Sequence, residues 1–361
     1  MKLSFYIASR FLTTFALVLG GFFAVLYLLD MIDQVRRLPE ASFGRLAGLA
    51  LLHTPGTVYR ILPLVMILAA IALFLRLART SELVAIRAAG RSALRTLAAP
   101  VMAAFLLGVV AVALVNPIVA ATSKRYAALT GTGAGISDAS ISSDGLWLRQ
   151  GGDEVQWVIR ADSADPDGTA LYGVSFLSFT ATGDPASRIE AASARLENGR
   201  WIASDAKQWD LSDTENPEAS ASILTQMTLT SDLTADQIRD SFGAPETVSI
   251  WDMPTFIGQL DRAGFSSRRH AVWFQMELSL PLLLAAMVMV GAGFTMRHAR
   301  FGQSGTLVLV ALVSGIAVFF VRNFAQVLGE SGQIPIVLAA WTPPVAAALL
   351  SVSLLLHLED G

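Results

Sequence analysis

Three ionisable side chains lie within or at the end of long apolar stretches, where a charge is costly and usually functional if the stretch crosses a membrane. Glu277 lies near the start of one stretch, Arg322 lies late in another, and Asp30 ends a third. Counted at about 1.5 Å per residue, all three have a similar depth below one membrane surface. We therefore predict a contact between Glu277 and Arg322, with Asp30 as the competing partner. The alternative is that each side chain reaches separately to the interface.

A second group of residues could bind an anion. Arg36 and Arg37 follow the first apolar stretch, and Lys124 and Arg125 follow the third. The topology derived below places all four on the outer surface, against the usual excess of cations on the cytoplasmic side. Arginine and lysine both pair well with phosphate, so a phosphorylated lipid headgroup is a suitable ligand. The alternative is that they are ordinary anchors to lipid.

The stretch from Arg76 to Arg95 carries five arginines around one acid, Glu82. Thr80 and Ser81 before Glu82 are typical of a helix start, where a hydroxyl caps the backbone and the dipole favours a carboxylate. Gly90 can end this helix in the left-handed conformation. The pattern predicts a short helix over about 79–92. It either lies in the headgroup layer or is a coupling helix that docks into a cytoplasmic partner.

Several kinds of chemistry lack the residues they need. The chain has three lysines, and none follows a glycine, so it has no phosphate-binding P-loop. Its four histidines lie far apart without the HExxH spacing, so we expect no metal site. With no cysteine it has neither disulfides nor thiol catalysis. We therefore expect no enzyme activity, and energy for any work must come from a partner or a gradient.

Composition indicates an integral membrane protein. Of 361 residues, 53% are hydrophobic and 15% charged, and the mean hydropathy is +0.55. Lys2 and Arg10 before the first run place the N-terminus in the cytoplasm, and the Arg76–Arg95 stretch agrees by the positive-inside rule. Runs of this length can cross a hydrocarbon core of about 30 Å. The predicted spans are Phe11–Leu29, Ile61–Leu75 (extended back through Val58), Leu97–Ala121, Leu278–Met296 (beginning near Ala271), Thr306–Leu328 and Ile334–Leu356.

Between spans three and four lies an acidic insert. Residues 138–246 hold 19 acidic and 7 basic side chains, and the topology places them in the periplasm of a bacterium. Short apolar or alternating segments rich in aromatic and β-branched residues predict strands, and Asn198-Gly199 predicts a hairpin turn. The insert is expected to be a β-sandwich or jelly roll. The domains are therefore residues 1–137 with spans one to three, 138–248 as the β domain, and 249–361 with an interfacial linker helix and spans four to six.

With this order of elements, the chain resembles the lipopolysaccharide export permeases of the LptF/LptG family over nearly its whole length. The more specific motifs are Asp33-Gln34-Val35-Arg36-Arg37 after span one, Ser81-Glu82-Leu83-Val84 with Ala88 and Gly90 after span two, and Gly332-Gln333-Ile334-Pro335 before span six. They favour the LptG branch. The chain departs from the enterobacterial LptG pattern at Asp30, where that pattern has a lysine. An acid cannot attract phosphate directly, so Asp30 is expected to orient Arg37, Arg322 or a bridging divalent ion.

The resemblance implies a fold and a function. It implies six transmembrane helices with a periplasmic jelly roll, in a multi-pass inner-membrane permease of an ABC transporter that extracts lipopolysaccharide from the outer leaflet. Implied partners are an LptF-like permease, two LptB-like ATPase subunits that bind ATP and magnesium, and an LptC-like protein. The implied coupling residues are Arg79, Ser81, Glu82, Leu83, Ile86, Arg87 and Gly90, and the implied lipopolysaccharide-binding residues are Asp30, Arg36, Arg37, Lys124, Arg125 and Arg322. The alternatives are the LptF paralogue and a scaffold that tethers periplasmic partners without transport.

Overall fold

Long helices and one antiparallel sheet divide the chain into two units. The helical unit comprises Met1–Tyr126, Ser249–Trp251 and Arg268–Gly361, and the β unit comprises Ala127–Val248 and Asp252–Ser267. The structure is a computed structural model that describes all residues except 1, 89, 91, 131–136, 143–144, 152–154, 166–167, 181–182, 198, 213–215, 232–237, 239–243, 263, 297–303 and 360–361.

Six helical segments of the described chain are long and apolar enough to cross a membrane, as the sequence predicts. A helix of about 20 residues suffices for this, so the longest, α1, extends well beyond one hydrocarbon core. The spans are formed by α1, α3, α5 together with α6, α8, α9 and α10. The helices of the two units are α1 (Lys2–Arg37), α2 (Phe43–Arg60), α3 (Leu62–Arg79), α4 (Glu82–Ala88), α5 (Ala93–Val110), a π-helical turn (Ala111–Val115), α6 (Asn116–Thr130), α7 (Met253–Arg262), α8 (Arg268–Thr295), α9 (Ser304–Glu330) and α10 (Ile336–Glu359).

Helix α2 is predicted from the sequence only at its end, where span two is extended back through Val58. Gly44, Gly48, Pro55 and Gly56 argue against a helix there. The buried side chains nevertheless recur every three to four residues and form one face, and this burial outweighs the weak helical propensity. That face consists of Leu46, Leu49, Ala50, Thr54 and Val58.

Span four is the centre of the helical unit. In its most apolar window 78% of the residues of α8 are buried, against 6% for α1 and 11% for α9. Helices α5 and α8 approach each other closely at Gly108 of α5. A Cβ at this position would lie only 2.5 Å from the Cα of Pro281 in α8, so a larger residue would not fit. Small residues allow transmembrane helices to pack this closely. Helices α1 and α9 therefore present their apolar surfaces outward, away from this chain's own core.

The β unit contains one seven-stranded sheet in which each strand pairs with the next in an antiparallel meander. The antiparallel β domain agrees with the prediction, while the jelly-roll topology, in which long connections place non-consecutive strands side by side, is not confirmed by this strand order. The insert does form strands, as its short apolar and alternating segments predict. The strands are β1 (Ser137–Ser142), β2 (Gly145–Gly151), β3 (Val155–Ala164), β4 (Ala170–Thr180), β5 (Pro185–Glu197), β6 (Arg200–Asp210) and β7 (Ser222–Thr230).

The sheet curls round its own buried face. Five strand spacings, about 24 Å, would separate β2 from β7 in a flat sheet. Instead Gln150 of β2 donates to the Thr230 carbonyl at the end of β7, at 3.4 Å. Its Oε1 accepts hydrogen bonds from Trp201 and Ser231. The meander is therefore folded over a common core.

A row of register irregularities crosses the sheet and accounts for part of this curl. In four neighbouring strands, two successive buried side chains are three residues apart instead of two. Irregular positions of this kind bend a strand and increase its twist. Gly173 (φ 60°) and Asp205 (φ 52°) lie in this row and have the left-handed conformation. The buried pairs are Ala161 with Ala164, Leu171 with Val174, Ala191 with Ala194, and Ala203 with Ala206.

Helix α7 completes the core of the β unit. Leu260, which is 1% exposed, and Phe265 belong to the same buried cluster as the inward faces of the strands. The sequence analysis assigned this segment to an interfacial linker in the third domain. Its apolar face is covered by the sheet instead, so most of the segment before span four belongs to the β unit.

Candidate functional site: three polar clusters of the helical unit

The first cluster, here called the Glu82 cluster, joins the beginning of α1 to the beginning of α4. The Tyr6 hydroxyl donates to Glu82 Oε2 at 3.1 Å, and Arg10 Nε donates to the Tyr6 oxygen at 3.1 Å. Arg10 also lies 4.0 Å from Glu82 Oε1, and both side chains are about one-third exposed. Thr80 Oγ1 is 3.1 Å from the same carboxylate oxygen. Glu82 is therefore attached to the first span of its own chain.

Helix α4 is the predicted short helix, and it is shorter than expected. Ser81 (φ 60°) precedes it and Gly90 (φ 75°) follows it, both in the left-handed conformation. Leu83 and Ile86, predicted as coupling residues, are 4% and 6% exposed and pack into the core of the helical unit. They anchor the helix, while Val84 is 49% exposed. Of the other predicted residues, Arg79, Ser81 and Gly90 are exposed, and the side chain of Arg87 lies outside the described part of the structure.

The second cluster, the Glu277 cluster, is buried. Glu277 in α8 is 4% exposed and accepts a hydrogen bond from the Tyr59 hydroxyl of α2. Asn116 Nδ2 lies 3.3 Å from Glu277 Oε2, while Asn116 Oδ1 accepts the backbone N–H of Ile250 at 3.0 Å. A carboxylate removed from water needs such donors. The cluster therefore joins α2, α6, α8 and the segment Ser249–Trp251.

Arg322 lies near this cluster without closing the predicted ion pair. Its charge acts on Glu277 across space, yet within the described chain no direct salt bridge joins the two side chains, and Arg322 Nε is buried without a hydrogen-bond partner. The predicted contact between Glu277 and Arg322 therefore stays a prediction. The carboxylate of Glu277 accepts its direct hydrogen bonds from Tyr59 and Asn116, two neutral side chains that the sequence did not single out. Asp30, the alternative partner, binds elsewhere.

The third span is distorted where it meets the Glu277 cluster. Ala111–Val115 form a π-helical turn, and Pro117 just beyond has no N–H to donate to the preceding turn. The carbonyl of Ala113 accepts a hydrogen bond from Trp251 Nε1 instead, at 3.1 Å. Such turns occur frequently at functional sites. Here the turn frees backbone and side-chain groups that bind the segment Ser249–Trp251.

The third cluster, the Asp30 cluster, joins α1, α2 and α6. Asp30 Oδ1 lies 3.1 Å from His53 Nδ1, and Thr54 Oγ1 donates to Asp30 Oδ2 at 2.9 Å. The ring of His53 lies 5.0 Å from the ring of Tyr126, centroid to centroid. Gln34 Nε2 donates to the Tyr126 oxygen at 2.7 Å. Asp30 therefore holds α2 against α1, which is a different role from orienting Arg37 or Arg322.

This third cluster brings the two predicted groups of bases together. Gln34 lies two residues before Arg36 on α1, and Tyr126 follows Arg125 on α6, so their hydrogen bond places both basic pairs at one end of the helical unit. All four bases are exposed. Arg37 also forms an ion pair with Asp33 at 2.9 Å, one turn earlier on the same helix. The exposed bases fit the chemistry of an anionic ligand.

Comparison with known proteins agrees with this architecture. The family model described as the lipopolysaccharide export system permease LptF/LptG matches residues 5–357. The chain belongs to the LptF/LptG family. It is 26% identical over 353 residues to the lipopolysaccharide export system permease protein LptG of Escherichia coli strain K12, covering 96% of this chain and 93% of that protein. The same values hold for LptG of E. coli O6:H1 strain CFT073.

Membership defines the location and the general role. An LptF/LptG permease is a membrane component of the lipopolysaccharide export system, and this chain is a multi-pass inner-membrane protein with a periplasmic portion. The six predicted spans are consistent with that assignment.

Four polar residues of this LptF/LptG permease escaped the sequence analysis. Tyr59, His53, Asn116 and Tyr126 connect the helices that carry the predicted charges. Asn116 could have been found from the sequence, because an Asn-Pro pair near the end of an apolar run often marks a distorted helix. Tyr59 lies in the backward extension of span two through Val58, whereas His53 lies on the part of α2 that is not predicted as a helix, so their facing positions could not be derived.

Proposed function

We propose that the chain is an LptG-type permease subunit of an ABC transporter that extracts lipopolysaccharide from the outer leaflet of the inner membrane. ATP hydrolysis takes place in a partner, and the chain itself has no ATPase site. The observation that carries the proposal is the family match over residues 5–357. The LptG branch is favoured by the motifs around Arg36 and Glu82 and by the similarity to the E. coli LptG proteins.

The outer end of the helical unit supplies the contact with substrate in this proposal. Arg36 and Arg37 on α1 and Lys124 and Arg125 on α6 are exposed and held at one end by the hydrogen bond between Gln34 and Tyr126. Guanidinium and ammonium groups form strong charge-assisted hydrogen bonds with phosphate. Arg322 adds a buried Nε without a hydrogen-bond partner in the described chain. These groups bind the phosphates of the lipopolysaccharide headgroup.

The cytoplasmic end supplies the contact with an LptB-like ATPase. Leu83 and Ile86 of helix α4 are buried in the core of the helical unit, and Val84 of the same helix is exposed. A short helix with a buried anchoring face and an exposed apolar side chain suits docking into a partner groove. Movement of the partner then reaches α4, which is attached through Glu82 to Tyr6 and Arg10 of the first span.

The β unit provides the route away from the membrane. Strand β7 ends the sheet and exposes Ile223, which is 81% accessible. An edge strand has unpaired backbone groups that can pair with a strand of another protein. We propose that an LptC-like protein and an LptF-like permease join the β unit in this way, forming a periplasmic bridge for lipopolysaccharide.

The docking role of α4 is tested by co-purification with the ATPase subunit. Glu82→Lys and Val84→Glu both place a wrong charge at the proposed contact, so both should reduce the ATPase retained and stop lipopolysaccharide release in a reconstituted complex. Glu40→Lys, an exposed acid in the turn after α1, is the matched control and should retain the ATPase.

Val84→Glu is the decisive variant, because Val84 is 49% exposed and it is Glu82 whose side chain binds Tyr6 and Arg10. Loss of the ATPase with Glu82→Lys alone would show that Glu82 acts inside its own chain and not in a partner groove. Retention of ATPase and transport in both variants would refute the coupling role of α4.

A further inference from the structure

We propose that the outer face of the β unit carries a saccharide-binding cleft on strands β4–β7. The side chains that give the cleft its chemistry are Tyr172, Ser193, Arg195, Glu197, Ser204 and Gln226. The proposed phosphate contacts lie in the helical unit, and the proposed docking of other proteins uses the edge of the sheet. The inference therefore goes beyond the proposed function, which requires no ligand on this face.

The cleft lies over a row of paired residues that crosses four strands. Tyr172 of β4 pairs with Ser193 of β5. Ser193 pairs with Ser204 of β6, which pairs with Gln226 of β7. Paired residues of neighbouring strands point to the same side of a sheet, so these four side chains share the outer face.

The strands bend beside this row. Gly173 and Asp205, each next to a residue of the row, have the left-handed conformation, and irregular positions of this kind bend a strand. The cavity at this place has a volume of about 380 Å³. Sites for small ligands have volumes of about 300–1,000 Å³, so the cleft is large enough for a small saccharide.

Four of the lining side chains make no hydrogen bond to protein groups within the described part of the chain. They are Tyr172, Ser193, Ser204 and Gln226. At the other end of the same strands, outward polar groups bind one another instead. Arg188 pairs with Glu190 on β5, and Lys207 and Trp209 of β6 both donate to Glu218. The cleft therefore differs from the rest of this face, because its donors and acceptors remain available to a ligand.

The charges of the cleft favour a neutral ligand with many hydroxyl groups. Arg195 supplies only donors, and Glu197, 3.9 Å away, supplies only acceptors. An anion would meet the carboxylate of Glu197, and a cation would meet the guanidinium of Arg195. A hydroxyl group can accept from the first and donate to the second, and the Gln226 amide offers both functions as well.

Tyr172 selects a saccharide among such ligands. Its side chain lines the cleft and is 48% exposed. One face of a pyranose ring exposes C–H groups, which are attracted to the negatively charged face of an aromatic ring. A sugar ring can therefore pack on Tyr172 while its hydroxyl groups reach Arg195, Glu197 and Gln226.

Isothermal titration calorimetry of the full chain in lipid nanodiscs tests the cleft. Glycoside detergents are left out, since their sugar head groups would compete. The probes are dephosphorylated core oligosaccharide, freed of lipid, and chitotetraose. The parent should bind at least one of them, and Tyr172→Ala should weaken that binding about tenfold. Tyr172→Phe, which keeps the ring, should weaken it less than about threefold, and Arg195→Ala about fivefold.

Arg188→Ala is the matched control for Arg195→Ala. Arg188 lies on the same strand and also pairs with a glutamate two residues later, but it lies outside the cleft, so binding should equal that of the parent. Tyr172 and Arg195 are both exposed, so the unfolding midpoints of their variants should match that of the parent. Binding that Tyr172→Ala and Arg195→Ala leave unchanged would overturn the assignment of the cleft.

The two probes distinguish two sources of the same chemistry. Binding of core oligosaccharide alone supports the sugar part of lipopolysaccharide as the ligand, and binding of chitotetraose alone supports a glycan of N-acetylglucosamine. If the parent binds neither, or if inorganic phosphate displaces the bound probe, the proposal of a saccharide site is wrong. The proposed function fails separately, because it is tested by retention of the ATPase subunit, which Tyr172→Ala should not change.

Discussion

Two glutamates of the helical unit occupy opposite kinds of site. Glu82 is one-third exposed at the end of α4 and interacts with Tyr6, Thr80 and the cation Arg10. Glu277 is 4% exposed in α8, and its direct hydrogen bonds come from the neutral groups of Tyr59 and Asn116. A partly hydrated carboxylate can exchange one partner for another at low cost, whereas a buried one cannot lose a donor cheaply.

The difference suggests that the two clusters have different roles. The Glu82 cluster is a contact that can change during a transport cycle, and its loss should alter coupling more than stability. The Glu277 cluster is a permanent junction among α2, α6, α8 and the segment Ser249–Trp251. Mutations can separate these roles, and the largest effect is expected at the junction.

Asn116→Ala should destabilise the protein by about 2 kcal/mol. It removes one of the two donors to Glu277 and the acceptor of the Ile250 N–H, so the buried carboxylate loses a hydrogen bond and the N–H is left unsatisfied. Denaturant unfolding of the purified chain in mild detergent measures the change. Asn323→Ala in α9 is the control, since Asn323 is only half-buried and makes no hydrogen bond among the described residues, and it should leave stability within about 0.5 kcal/mol. Equal losses of stability in both variants would show that Asn116 has no special role in the junction.

The same substitution at the two glutamates compares them directly. Glu277→Gln keeps an acceptor for Tyr59 and Asn116 but loses the attraction to Arg322, so it should cost about 1 kcal/mol. Glu82→Gln should cost less than about 0.5 kcal/mol, because its ion pair is exposed and 4.0 Å long. The same unfolding experiment applies to both. A larger loss of stability in Glu82→Gln than in Glu277→Gln would contradict the assignment of Glu277 as the structural junction.

The sequence predicts much of this architecture, because apolar length and strand alternation are local signals. Six spans, the helix before Gly90 and the strands from Gly145 to Thr230 all follow from such patterns. The curled meander does not, since irregular positions such as Gly173 and Asp205 shift the alternation in single strands. The order of strands in a sheet also depends on contacts that no local pattern contains.

The candidate site is predictable as charges but not as contacts. Glu277, Arg322 and Asp30 stand out because ionisable groups in apolar runs are rare. Their actual partners are the uncharged side chains Tyr59 and Thr54 and the histidine His53, all of them on α2. Glycine and proline hide most of that helix in the sequence, so depth alone identifies the charges but not the side chains that bind them.

Tyr6→Phe tests the Glu82 cluster with a smaller change. It removes the hydroxyl that donates to Glu82 and accepts from Arg10, so stability should change by less than about 0.5 kcal/mol. Lipopolysaccharide released per ATP hydrolysed by the reconstituted complex should nevertheless fall about threefold, since the link from α4 to α1 is weakened. Phe5→Leu is the neighbouring control, 78% exposed on the same helix. An unchanged ratio with Tyr6→Phe would show that the link carries no coupling.

Glu218 in the β unit extends the comparison to a carboxylate that is 64% exposed, where the smallest effect is expected. Lys207 and Trp209 donate hydrogen bonds to it, and these bonds hold the pKa of Glu218 below its ordinary value. Because the folded pKa is lowered, the contribution to stability is present above the unfolded pKa and is lost as pH falls through the folded one. That window lies below about pH 4.

The readout is the emission of Trp209, whose indole N–H lies 2.7 Å from Glu218 Oε2. The chain has seven tryptophans, so the signal is the difference between the parent and Trp209→Phe during acid titration. A transition below about pH 4 should appear in that difference and vanish in Glu218→Gln, with little change in the unfolding midpoint. Glu197→Gln, whose partner is Arg195, should preserve it. If the transition remains in Glu218→Gln, a group other than Glu218 titrates in this range, and the assignment to Glu218 is wrong.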